Sequence, residues 1–161
     1  MSSFAPYLIS WNTTKRCNLR CRHCYLDADT LTQKDPNELS TDEGKRLIDQ
    51  IAEVNPATML ILTGGEPLVR EDIFDLSDHA SKKGIMVVFG TNATTLDDKA
   101  AKEMVKTGVS GIGISIDSIG PEYHDAFRVK EGAWEKAMNG IESCKRHGLD
   151  FQIQTTVTTA N

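Results

Sequence analysis

The sequence has 161 residues, 39% hydrophobic and 25% charged, enough for one soluble domain with a buried core. Its 18 basic and 23 acidic residues give a net charge of −5, and the Lys and Arg residues are scattered, which argues against a nucleic-acid partner. No run approaches the ~18 apolar residues of a membrane span, and the opening MSSFAPYLIS lacks the regions of a secretory signal, so a cytoplasmic protein is expected.

Residues 7–14 (YLISWNTT) read as a first strand, followed by a cysteine-bearing loop. Residues 30–39 are polar and predict an exposed loop. Ser40-Thr-Asp-Glu43 is a capping box, and the helix it starts carries Leu47, Ile48, Ile51 and Val54 at helical spacing before Pro56. Residues 58–63 (TMLILT) form a near-continuous apolar run, as in strands buried on both faces of a parallel sheet. The run breaks at Gly64-Gly65-Glu66-Pro67. A helix over about 70–83 stops at Gly84, and a third strand over 85–89 leads to Gly90-Thr91-Asn92. A helix over 97–106 is closed by Gly108, and residues 110–117 (SGIGISID) give a fourth strand. A loop, a helix over 133–147 stopped by Gly148 and a fifth strand over 151–157 complete the chain.

Five strands separated by four helices make a β/α series, and so an α/β fold with a parallel sheet and right-handed crossovers. No linker divides residues 1–161, which read as one domain. The period alone does not distinguish a closed barrel, a partial barrel and an open sheet. In each, chemistry collects at the C-terminal ends of the strands, where the cysteine loop, GGEP, Thr91-Asn92, Ser115 and Asp117 all fall.

Cys17, Cys21 and Cys24 lie in a C-x3-C-x2-C spacing with no disulfide framework elsewhere, and such a cluster in a reducing compartment points to a metal site. Three thiolates on one short loop suit an iron–sulfur cluster and leave one iron open, as a catalytic site needs. A structural Cys3His zinc site with His23 as fourth ligand is the alternative from a non-catalytic class. The adjacency of His23 and Cys24 makes poor tetrahedral geometry for it. Redox thiols come third. Arg16, Arg20 and Arg22 either offset cluster charge or are simply solvated.

The spacing after a first strand resembles the cluster motif of the radical S-adenosylmethionine (SAM) superfamily, and further motifs agree in order along nearly the whole chain. Gly64-Gly65-Glu66-Pro67 resembles the family's GGEP, which in relatives binds the amino group of SAM; glycines let backbone carbonyls approach an ammonium. Thr91 and Asn92 resemble the family's T-N-G, with Ala93 in place of the last glycine. Ser115-Ile116-Asp117 resembles S-[IL]-D, and His124-Asp125-x-x-Arg128 resembles H-D-x-x-R, whose arginine is a candidate partner for the SAM carboxylate. His23 holds the position beside adenine that is usually aromatic. From spacing alone, Asp117 reads as a helix cap and Arg128 as a surface residue.

The resemblance implies a partial TIM-type (β/α) barrel, a [4Fe–4S] cluster on Cys17, Cys21 and Cys24, and SAM held by His23, Gly64, Gly65, Glu66, Pro67, Asn92, Ser115, Asp117 and Arg128. It implies reductive cleavage of SAM to a 5′-deoxyadenosyl radical that abstracts hydrogen from substrate, with an electron donor such as flavodoxin or ferredoxin. The segment over 7–28 is most similar to the branch that modifies tetrapyrrole side chains in haem d1 and alternative haem biosynthesis. The sister branch of peptide and protein maturases has nearly the same core motifs. The family core generally has six β/α units, so the chain reads as a core truncated after its fifth strand, lacking an auxiliary-cluster domain and not expected to be fully active alone. Cys144 reads as a buried structural thiol, His79 and His147 as exposed or capping residues, and Trp11 and Phe89 as core.

Overall fold

The computed structural model describes residues 5–26, 28, 34–159 and 161. Part of the loop expected over 30–39 lies outside the described residues; positions 34–39 carry a turn. Five strands, β1 (Leu8–Thr14), β2 (Met59–Gly64), β3 (Met86–Thr91), β4 (Val109–Ser115) and β5 (Phe151–Gln154), alternate with helices. The helices are α1 (Thr41–Val54), α2 (Ile73–Lys82), α3 (Asp98–Lys106), α4 (Pro121–Arg128) and α5 (Ala133–His147), with a short 3-10 helix over Pro67–Val69. No helix of the described residues is long and apolar enough to cross a membrane.

The strands pair in parallel in the order β1-β2-β3-β4-β5. Each crossover therefore steps to the next strand in one direction. A doubly wound sheet would instead reverse at a switch point, so the sheet is an open portion of a (β/α) barrel, as expected.

Alternation sets the layers. Leu60, Leu62, Val87, Phe89, Ile112 and Ile114 point one way into the main core with Ile48, Ile73, Leu76 and Met104 from the helices. On the other face, Ile61 and Val88 are only half-buried. The apolar run of β2 is thus covered fully on one side, not on both as its composition predicts, because the second face lines the hollow of the unclosed sheet.

Local signals explain most boundaries. Ser40 and Glu43 form the capping box of α1, the Ser40 hydroxyl accepting from Glu43 N–H and the Glu43 carboxylate accepting from Ser40 N–H at 2.9 Å. Gly84, Gly108 and Gly148 have φ of +85°, +72° and +66°, the left-handed values with which glycine ends helices.

Two expectations are corrected. The helix expected over 70–83 begins later, at Ile73, after the 3-10 turn. The loop expected between β4 and the last helix contains α4, so the described residues form five α-helices, not four. The buried residues of α4 are His124 and Arg128, which hydrogen bonds hold in place of an apolar stripe. Asp125 caps the next helix from a distance: its carboxylate accepts from Gly132 N–H at 2.7 Å and Trp134 N–H at 2.8 Å. The cap residue of α5, Gly132, has no side chain to do this.

Candidate cofactor-binding site

At the C-terminal edge of the sheet the ends of β1 and β2 are fastened together. An irregularity between Asn12 and Thr14 breaks their register, and Thr13 Oγ1 donates to Thr63 O at 3.0 Å. Gly65 N–H then donates to Thr14 O at 2.8 Å and Glu66 N–H to Arg16 O at 2.9 Å. This places the GGEP turn directly against the residues leading into Cys17. A Cβ on Gly64 would lie 2.4 Å from Thr14 O, and one on Gly65 2.3 Å from Arg16 O. Gly64 also has φ of +134°. Both glycines are required by this close approach of two backbones.

Glu66 faces away from the hollow into the protein. Its fully buried carboxylate accepts from Thr91 Oγ1 at 2.7 Å, Asn92 N–H at 2.8 Å and Leu68 N–H at 3.1 Å. Burial pushes its pKa up, and those three donors oppose the shift. The residue therefore bolts the end of β2 to the end of β3, while Pro67 opens the 3-10 helix. Beyond β3, Asn92 donates to Asn18 Oδ1 at 2.9 Å and approaches Cys17 Sγ at 3.9 Å; Asn18 donates to Thr94 Oγ1 at 2.8 Å. Ala93 is held at φ of +57°, where glycine would be unstrained.

The opposite wall is α4. Arg22 N–H donates to Phe127 O at 3.0 Å, and the His23 ring stacks on Phe127 with centroids 4.5 Å apart and planes 5° from parallel. Among the described residues, His23 Nδ1 is buried without a hydrogen-bond partner. Burial, and then the charge of Arg128, lower the His23 pKa. Arg128 is buried, not on the surface as spacing suggests. Its Nε and Nη2 both reach Asp117 Oδ2 at 2.7 Å. Asp117 caps no helix; its other oxygen accepts from Thr156 N–H at 3.1 Å.

Cys17, Cys21 and Cys24 are half-buried and line one cavity of about 260 Å³ with His23, Gly64, Gly65, Asn92, Ser115 and Arg128. Glu66, Pro67 and Asp117 stand behind this wall. Thr63, Gln154 and Thr156 also line it; they carry no spacing signal in the sequence, since strand pairing alone brings them there. Burial pushes the Cys17 thiol up to about 11, opposed by the Leu19 N–H. Cys21 is likewise raised by burial, opposed by Arg128.

A profile of the radical SAM superfamily matches residues 11–160. The chain belongs to this superfamily. It is 44% identical over 155 residues to an AdoMet-dependent heme synthase of Oleidesulfovibrio alaskensis, covering 96% of this chain and 39% of that protein. It is 38% identical over 154 residues to an Fe-coproporphyrin III synthase of Methanosarcina barkeri, covering 96% and 38%. The radical SAM chain thus spans about two fifths of the length of these relatives. Among solved structures, methylornithine synthase superposes with a TM-score of 0.70 at 16% identity over 94% of this chain and 45% of its own, a likeness of fold.

The superfamily implies a 4Fe–4S cluster and SAM, and the residues present fit both. Three thiols share one cavity wall with no fourth protein thiol beside them. Among the described residues, no three His, Cys, Asp or Glu side chains stand close enough to hold a single metal ion. A tetrahedral zinc needs its thiolates packed around one centre, whereas a cubane spreads them over separate irons. Space beside the thiols is bounded by Gly64, Gly65, Asn92 and His23.

Proposed function

We propose that this chain forms the cluster- and SAM-binding part of an enzyme that modifies tetrapyrrole side chains in haem d1 or alternative haem biosynthesis. The observation that carries the reading is the meeting of Cys17, Cys21 and Cys24 with the Gly64-Gly65 turn in one cavity at the C-terminal ends of the strands. The identity to haem-forming relatives supports the substrate class.

Bound there, the cluster and SAM would supply reductive cleavage of SAM and abstraction of a hydrogen atom from the substrate. The chain's own residues do the rest. Cys17, Cys21 and Cys24 would hold the cluster by three irons. The Gly64-Gly65 backbone lines the same cavity and would meet the amino group of SAM there. His23, one face of its ring held on Phe127, offers a flat surface for adenine. Asn92 and Ser115 present polar groups from the ends of β3 and β4. Glu66, Pro67 and Asp117 act from behind, fixing the turns that carry these groups. The electron would come from a flavodoxin- or ferredoxin-type donor.

The test is anaerobic reconstitution of the protein. Brown protein holding about four irons per chain, with an EPR signal on reduction that changes on adding SAM, and 5′-deoxyadenosine release lost in Cys24→Ala, is the expected outcome. A colourless protein holding one zinc, or a Cys24→Ala variant that still cleaves SAM, refutes it. Incubation of the full-length protein with iron coproporphyrin and sirohaem-derived substrates tests the substrate class.

A further inference from the structure

Two amide side chains line the cysteine cavity, and they differ in what they touch. Asn92 is engaged at both ends: its Nδ2 donates to Asn18 Oδ1 at 2.9 Å, and its Oδ1 accepts from Thr94 N–H at 2.9 Å and Thr94 Oγ1 at 2.6 Å. The Gln154 amide has no hydrogen-bond partner among the described residues. Its backbone is nevertheless fixed, since Gln154 pairs with Ser115 and its carbonyl accepts from Ile116 N–H at 3.0 Å.

The pleat and a glycine aim this side chain. Phe151 and Ile153 pair with Ile112 and Ile114 of the core, so Gln152 and Gln154 stand on the hollow face of the sheet. Gly113 is buried beneath them, and a Cβ there would meet Gln154 Nε2 at 2.6 Å, Cδ at 2.8 Å and Oε1 at 3.0 Å. The amide thus occupies space that any residue but glycine would fill, while Gln154 stays exposed to the hollow. Donors and an acceptor are held in one place beside the three thiols, and nothing in the fold uses them.

A substrate that gives up a hydrogen atom at this cavity must lie in the hollow, next to β5. Tetrapyrroles of the proposed class carry carboxylate side chains around a flat ring, and an amide N–H donating to a carboxylate makes a charge-assisted bond. Gln152 repeats the amide about 7 Å further along the same face.

We propose that Gln154 is a substrate-binding residue: its amide, seated on Gly113, donates to a carboxylate side chain of the tetrapyrrole and holds it beside the cysteine cavity. This rests on the tetrapyrrole reading above. Gly113 is a positioning residue in it, acting only through Gln154.

The experiment compares full-length reconstituted wild type with Gln154→Leu, Gln154→Glu and Gly113→Ala. The affinity for iron coproporphyrin is read from its absorbance, and the affinity for SAM by equilibrium dialysis. All three variants should fold, because Gln154 is exposed and the atoms that a Gly113 Cβ meets are the far end of a flexible side chain. Gln154→Leu should bind iron coproporphyrin about tenfold more weakly, the loss of one hydrogen bond to a charged group. Gln154→Glu should bind it more weakly still, since carboxylate would face carboxylate, and Gly113→Ala should lose less than Gln154→Leu. SAM affinity and iron content should stay at the wild-type level in all three. Iron coproporphyrin affinity unchanged in both Gln154 variants overturns the proposal. So does a matching fall in SAM affinity, which would make Gln154 a ligand of SAM and leave the tetrapyrrole reading standing. Wild type that holds cluster and SAM but binds no iron coproporphyrin overturns that reading and this proposal together.

Discussion

Arg70 grips Asp72 by two parallel hydrogen bonds, Nε to Oδ1 at 2.7 Å and Nη2 to Oδ2 at 3.0 Å. The same guanidinium donates to Thr13 O at 2.6 Å and Leu39 O at 2.9 Å and lies 5.7 Å from the centre of the Trp11 ring. One buried side chain thus ties the end of β1, where the cysteine loop departs, to the approaches of α1 and α2. Arg70→Met would leave Asp72 and the Thr13 carbonyl without their donors. The expected cost is about 3–5 kcal/mol in urea unfolding, as for other broken buried pairs. Arg70→Lys should recover only part, because an ammonium cannot reproduce the fork. A loss below about 1 kcal/mol in Arg70→Met would show that the fork is dispensable.

The same pair predicts an acid limb to stability. Burial raises the Asp72 carboxyl, but hydrogen bonds from Arg70 and Thr41 and the charge of Arg70 outweigh it and hold the pKa down at about 2, against 3.8 ordinarily. A folded pKa below the unfolded one contributes stability that is present above the unfolded value and lost as pH falls through the folded one. The window therefore runs from about pH 4 to about pH 2. At roughly 1.4 kcal/mol per unit, discounted for solvent at a partly exposed carboxylate, about 1–2 kcal/mol should disappear there. Asp72→Asn should lose this much near neutral pH and show a flatter acid limb in urea melts. An unchanged limb would remove Asp72 as its source.

Gly65 separates steric need from backbone strain. A Cβ there meets Arg16 O at 2.3 Å and Lys15 O at 2.7 Å, so Gly65→Ala must push the chain just before Cys17. The expected result is a loss of about 1–3 kcal/mol, as for overpacking, with sharply reduced iron after reconstitution. Gly132 is the control: its φ is +73°, yet nothing lies within 4 Å of a Cβ. Gly132→Ala should cost about 1 kcal/mol of strain and leave iron content intact. Equal iron content in the two variants would refute a role for the Gly65 contact in shaping the loop.

These contacts also show what was legible in the sequence. The capping box at Ser40 and the helix-ending glycines act within a few residues, so the sequence displays them directly. The cysteine spacing and GGEP were legible as motifs, but their mutual contact was not, because it depends on β1 and β2 being neighbours. Helix α4 was missed for a specific reason. Its inward residues are His124 and Arg128, so no apolar period marks it, and the signal is carried by hydrogen bonds to Asp117, seven and eleven residues back. Arg128 looked like a surface charge because a buried arginine is recognisable only by its partner. In the sequence the glycines of GGEP signal room for a ligand. The structure adds a second requirement, the carbonyls of Thr14 and Arg16.

Cys144 provides the internal reference for the three cavity thiols. It is wholly buried in α5 among the core residues, and burial pushes its thiol up to about 11. Burial raises the Cys17 thiol to the same level, so access decides between them, and Cys144, with no exposed surface, should be inert in the folded protein. Cluster-free protein treated with iodoacetamide should be labelled at Cys17, Cys21 and Cys24, which line an accessible cavity, and at Cys144 only after urea is added; mass spectrometry of the digested chain reads each site. Cys144→Ser should cost about 1–3 kcal/mol, the penalty for burying a hydroxyl that finds no partner, while iron uptake is unchanged. Cys24→Ala should show the reverse, near-native stability with iron lost. Labelling of Cys144 at the rate of the cavity thiols would mean that α5 opens readily from the sheet, and the core assigned to it here would be wrong.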